Sequence, residues 1–320
     1  MNAHAETKLS AGGPADRKRE AEQQHTYNGL SGAANTALVV VFALLSLACL
    51  YPLLLVVAVS FTDEQSIVAH GYNIVPRQFS LYAYRYLFDD ASQIFRAYGV
   101  SIAVTLVGTL GSLLLTSLLA FPLSRRDMPY RNTLAFAVFF TMLFSGGLVP
   151  WYLVYNAAGL NDTLWALVIP HLVAPFNVII MRTFFANTIP VPLIESAKID
   201  GAGELRIFAR IILPLSMPVM ATIGLFQTLA YWNDWFTSSV FVSDNKLVSL
   251  QYLMYKTIYN IQYLNSGLVD ASVAGNASTA IPTETVRMAM AIVGIGPIVF
   301  VYPLLQKYFV KGLTVGAVKG

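Results

Sequence analysis

The chain has 320 residues, of which 56% are apolar and only 12% charged, with a mean hydropathy of +0.60. So few charges cannot cover the surface of a soluble fold, so the apolar excess must face lipid. A net charge of +3 excludes a basic nucleic-acid binder, and one cysteine, Cys49, allows neither an internal disulfide nor a Cys-based metal cluster. The four histidines, at 4, 25, 70 and 171, show no ligand spacing.

In chain order, residues 1–35 form a polar tail rich in Ala, Gly and charged residues and are expected to be disordered. Charge-free runs then predict spans at 36–61, 97–124, 132–161, 163–181, 211–233 and 288–306. Crossing the hydrocarbon takes ~20 helical residues, so six transmembrane helices are the natural count. The first run is too long for a signal-peptide core and reads as a retained helix. Gly146-Gly147 and Pro150 predict a break in the third. Segment 62–96 follows the first span, 97–309 is the membrane core, and 310–320 is a C-terminal tail.

Lys and Arg orient the chain. The tail, 125–131, 182–210 and the C-terminus carry 14 of them, whereas 62–96, 156–162 and 234–287 carry 6. The richer side is cytoplasmic, which puts both termini inside. No internal repeat of the kind found in many secondary transporters is visible.

The cytoplasmic segment 187–214 departs from an ordinary connector. Pro192 suits a first helical turn and Asp200-Gly201 a helix end. A second short helix is expected from Glu204 to Leu213, with Leu205, Phe208 and Ile212 as one apolar stripe. Such a knuckle either packs on its own bundle or docks into a partner's groove. Glu195-Ser196-Ala197, then Gly201, then Ile211-Ile212-Leu213-Pro214 match the E-A-A-x3-G-x9-I-x-L-P spacing at every fixed position, with Ser196 in place of the usual Ala. This segment resembles the EAA loop of ABC-importer permeases. Residues 79–88, 145–150, 177–185 and 306–320 are similar to carbohydrate-uptake permeases related to the second permease of the maltose system, in a subgroup linked to complex oligosaccharides.

The resemblance implies an all-α integral membrane protein with a type I ABC importer permease fold, multi-pass in a bacterial cytoplasmic membrane. It also implies a second homologous permease, two ABC ATPase subunits that bind ATP and Mg, an extracytoplasmic solute-binding protein and a carbohydrate substrate. Carried over by position, Glu195 would meet a basic group on the ATPase. Ser196 and Ala197 would pack closely, Asp200-Gly201 would turn, and Ile211, Leu213 and Pro214 would set the angle into the fifth span. This chain has no Gly-Lys pair and therefore no Walker A motif, so it is not read as an enzyme.

Trp232-Asn233-Asp234 closes the fifth apolar run. Aromatic faces stack on sugars and amides bond their hydroxyls, so these residues, with Tyr152 and Tyr155, are candidates for a solute path. An interfacial aromatic belt is the bland alternative. His171, between Pro170 and Pro175, is expected to pair with a carbonyl freed by a proline. Arg287 is expected to pair with Glu284. Residues 265–280 read as a flexible outer loop. Asn265, Ser266 and Gly267 are candidates for contact with the binding protein, by analogy with the corresponding loop of maltose-type relatives. A secondary transporter or channel, and a non-transporting scaffold or sensor, remain the rival classes, and both must treat the EAA spacing as coincidence.

Overall fold

The computed structural model describes residues 32–265, 283–301 and 303, and in these there are helices and turns but no strand beyond one isolated bridge, Thr62 to Phe79. The chain divides into two units, Met1–Leu55 and Val56–Gly320. The described part of the first belongs to helix Gly32–Ser60, which continues into the second. This helix is apolar all round and its most apolar window has no buried residue, as expected of a helix solvated by lipid.

Within the second unit the backbone is helix Ala91–Ser124. Asp90 caps its first turn by accepting from the Gln93 N–H at 3.3 Å. The helix therefore starts six residues before the charge-free run at 97, and Arg96 lies inside it. Thr105, Gly108, Ser112, Thr116 and Ala120 are among its buried small residues, and the helices Met217–Trp232 and Pro175–Thr188 pack on it. Small residues let transmembrane backbones approach closely. Gly108 is the tightest case: a Cβ built there would stand 2.4 Å from Cζ of Tyr231.

Three further apolar segments are bent pairs. Arg131–Leu143 and Leu148–Ala157 meet at 114°. Gly147 makes that corner with φ +84°, a conformation suited to glycine, so the expected break is present. Leu164–His171 and Pro175–Thr188 meet at 48°, and Glu204–Leu215 and Met217–Trp232 at 81°. Prolines sit at or beside both of these corners, removing backbone donors. Among the described residues two helices are long and apolar enough to cross a membrane, or up to five if each bent pair is one span. The sixth expected span, 288–306, is represented by Glu284–Ile295 and the 3-10 turn Gly296–Phe300; residues 304–306 lie outside the described residues.

The segments between spans are more structured than their polarity suggests. Residues 62–96 hold helices Glu64–His70 and Tyr82–Leu87. The stretch between the fifth and sixth apolar runs holds helix Leu250–Asn265, ahead of the expected flexible loop at 265–280. Glu64 ties the first of these segments to the last span. Its carboxylate accepts from the N–H groups of Thr283, Glu284 and Thr285 at 3.1, 3.0 and 2.9 Å, and from the Thr285 hydroxyl at 2.7 Å. An anion on the free N–H groups of a helix start is favourable both as a cap and against the helix dipole. Glu64→Ala is expected to destabilise this junction by about 1–2 kcal/mol, with Glu64→Gln intermediate, as read by the Tm of the detergent-solubilised protein. Nearby, Arg287 pairs with Glu284 at 3.1 Å as expected.

Candidate functional site

The 187–214 segment folds as a stiff knuckle. Helix Val191–Ile199 starts at a Pro190-Val191-Pro192 entry, where missing donors cost nothing. It ends at Asp200, and Gly201 takes φ +76°. The Gly201 N–H bonds the Lys198 carbonyl and the Ala202 N–H bonds the Ala197 carbonyl, both at 2.9 Å. These two bonds form a Schellman closure, which satisfies the last carbonyls and fixes the exit direction. Ile194, Ala197 and Ala202 pack on the inner core of Ala120, Phe121, Phe185, Ile207, Phe208 and Ile212. Glu195 and Ser196 consequently face outward, and Glu195 has no ion-pair partner among the described residues. The Ser196 hydroxyl turns back to the Leu193 carbonyl at 3.1 Å.

The second short helix differs from expectation. Glu204–Ile207 is one α-turn, and Phe208–Ile212 is a π-turn before Leu213–Leu215. The wider turn shifts the buried face, so Ile207 joins Phe208 and Ile212 inside while Leu205 is left 76% exposed. Ile211 and Leu213 are half-buried against the same core, and Pro214 is exposed before the 81° corner. Ile199 is 87% exposed. The knuckle thus presents apolar side chains to its surroundings from a rigid base, Ile199 and Leu205 being the most exposed of them.

A charge network unnoticed in the sequence holds that base. Arg125, just past helix Ala91–Ser124, pairs with both Asp127 and Glu204. Lys198, on the knuckle, reaches Asp127 at 3.2 Å and Glu204 at 3.3 Å. The Arg125 guanidinium holds the Asp127 carboxyl below the usual carboxylate range against the next-largest effect, the upward push of burial, with a further lowering by the Lys198 ammonium. A depressed carboxylate stabilises the fold above its unfolded pKa and loses that contribution only as pH falls through its folded value. Stability is therefore expected to be insensitive to this group from pH 8 down to 5, with Asp127→Asn lowering the Tm of the detergent-solubilised protein across that whole range. The network shows in sequence only as a polar face at Glu204 and a basic loop at 125–131.

The solute-path candidates part company. Trp232 is buried, and its indole N–H donates to the Gly294 carbonyl at 2.9 Å. Asn233 is exposed and its amide donates to the Leu229 carbonyl at 2.9 Å. Asp234 places Oδ2 3.2 Å from His171 Nε2, and its Oδ1 accepts from the Thr237 N–H at 3.0 Å. His171 thus meets Asp234 and not the expected proline-freed carbonyl, while the Tyr231 hydroxyl donates to the Val168 carbonyl at 2.7 Å. The 3-10 turn Ile169–His171 sends the Leu172 N–H to Ile169 and so leaves Val168 open to that hydroxyl. Tyr152 and Tyr155 meet not the Trp232 group but Phe241, at 5.9 and 4.9 Å between ring centres. Asn265 ends helix Leu250–Asn265, and Ser266 and Gly267 lie outside the described residues.

Comparison with known proteins adds a second line. The family described as "Binding-protein-dependent transport system inner membrane component" matches residues 131–315. The chain is 43% identical to the polygalacturonan/rhamnogalacturonan transport system permease protein YtcP of Bacillus subtilis (strain 168), over 86% of this chain and 94% of that protein. It is 41% identical to protein LplC of the same organism, over 84% and 89%. In structure it resembles a chain from the crystal structure of a bacterial ABC transporter involved in the import of the acidic polysaccharide alginate. That match has a TM-score of 0.72 and 28% identity, and covers 95% of this chain and 100% of that one.

Proposed function

Because the chain belongs to the family of binding-protein-dependent transport system inner membrane components, we propose that it is one permease half of an ATP-driven ABC importer for a uronate-containing oligosaccharide. Six spans cross the cytoplasmic membrane, with both termini and the knuckle inside. A second, homologous permease completes the pathway. Two ATPase subunits bind ATP and Mg and supply the energy, and an extracytoplasmic binding protein delivers the sugar. The cargo class rests on what the relatives are named for, polygalacturonan, rhamnogalacturonan and alginate.

One observation carries the reading: the EAA positions form a closed, glycine-turned knuckle with Ile199 and Leu205 exposed at its tip. An exposed apolar tip on a rigid base is suited to insertion into a partner's groove. The ATPase grips it, with Glu195 as the charged contact. Movement passes by two routes. The Arg125 network draws on the end of helix Ala91–Ser124, and the 81° corner at Ser216 turns the push into helix Met217–Trp232. That helix is 16 residues long, so its far end and the His171–Asp234 pair lie about 24 Å from the corner. Rigid elements packed on one another carry such displacements as units. Asn233, Asp234, Tyr152 and Tyr155 belong, in this reading, to the outer mouth of the pathway.

The test is reconstitution of the permease pair, ATPase and binding protein in proteoliposomes. ATP-dependent accumulation of oligogalacturonides is the expected result. Uptake that persists without ATP would favour a secondary transporter, and ATP hydrolysis without sugar flux would contradict the cargo.

A further inference from the structure

Helix Leu250–Asn265 is not among the helices long and apolar enough to cross a membrane. Leu250, Leu253, Met254 and Ile261 bury one side of it. The opposite side exposes Tyr255, Lys256, Tyr259, Asn260 and Gln262. A face turned to hydrocarbon would not carry an ammonium and two amides beside its rings. Lys256 has the Asn245 amide oxygen at 3.5 Å and no carboxylate partner among the described residues.

The two rings are one turn apart, so they are set about 6 Å apart along the axis, close to the length of one sugar ring. Tyr255 and Tyr259 are 45% and 60% exposed. Tyr255 also stacks on Trp235, with centres 4.2 Å apart and planes at 18°. Trp235 in turn meets Phe236 at 5.8 Å, and Phe236 meets Trp151 at 6.4 Å. Phe236 and Trp151 line an open cavity of about 590 Å³ at the Gly146-Gly147 corner. An unbroken file of rings therefore leads from the exposed helix to a cavity.

Rings in file, flanked by amides and a cation, match the chemistry of an extended acidic sugar. The C–H faces pack on the rings, hydroxyls bond the amides, and a uronate carboxylate meets the ammonium. We propose that Trp235, Tyr255 and Tyr259, with Lys256, form a platform that receives successive units of a uronate-containing oligosaccharide and leads them toward the cavity beside Trp151. This rests on the importer reading above.

The experiment uses the complete importer in proteoliposomes with oligogalacturonides from dimer to hexamer. Tyr255→Ala with Tyr259→Ala is expected to lower hexamer uptake about tenfold and dimer uptake by less than about twofold, because a dimer resting on the two rings does not also reach the cavity, whereas the hexamer rests on both while its leading units enter it. Tyr255→Phe with Tyr259→Phe restores the hexamer, since stacking survives. Lys256→Gln lowers uptake of the free acid more than that of the methyl ester. A wild-type length profile in the alanine pair would overturn the platform and leave the importer standing. So would equal losses at every length in both pairs, the mark of a packing or lipid-belt role. A wild-type complex that hydrolyses ATP yet carries no oligogalacturonide would overturn the cargo and the platform together.

Discussion

Gly201→Val is expected to lower ATP-driven uptake by an order of magnitude or more while the protein still inserts, and Gly201→Asn to retain most of it. No atom lies within 4 Å of the position a Cβ would occupy at Gly201, so space is not the constraint. The backbone is: φ is +76°, where a side chain costs about 1–2 kcal/mol and a β-branched one more. Asn tolerates this region. Relief of that strain would open the two bonds to Lys198 and Ala197 and swing Glu195 and Ile199 off their base. Uptake and membrane abundance measured side by side check it. Equal loss in Asn and Val would mean that the turn is not what matters. Unaltered uptake in Val would contradict the coupling role.

Gly108→Leu is expected to prevent accumulation of folded protein, and Gly108→Ala to lower the Tm. Here space is the constraint. The Cβ meets Tyr231 ring atoms at 2.4–2.6 Å, and that ring cannot swing aside while its hydroxyl holds the Val168 carbonyl. Overpacking of this kind costs about 1–3 kcal/mol. Tyr231→Phe on the wild-type background should cost about 1 kcal/mol through the lost hydrogen bond alone, and Tyr231→Ala should rescue Gly108→Ala in part. Failure of that rescue would show that the strain lies elsewhere.

The apolar helical segments were legible because apolar runs are a local property, and the corner at Gly147 because glycine pairs punctuate them. The knuckle's turn was legible for the same reason: Asp200-Gly201 states its own conformation. What sequence could not show depends on distance. Glu64 and Thr285 are far apart in the chain, as are Arg125 and Glu204, and no periodicity links them. The π-turn at Phe208–Ile212 also escapes a 3.6-residue pattern, which is why Leu205 reads as one stripe with Phe208 and Ile212 although it alone of the three is exposed. Trp232, Asn233 and Asp234 are consecutive, yet a helix end sends them to a buried carbonyl, to the preceding turn and to His171. Adjacency in the chain suggested one site where the fold makes three environments.

The central claim is that a motor subunit grips the knuckle. Cys49 is the chain's sole cysteine, so Cys49→Ser followed by Ile199→Cys gives a single thiol at the exposed tip. Maleimide labelling of that thiol, in the free permease and in the ATPase-bound complex, reads the contact directly. The account expects rapid labelling of the free permease and at least tenfold slower labelling once the ATPase is bound. Equal rates in the two states would contradict it.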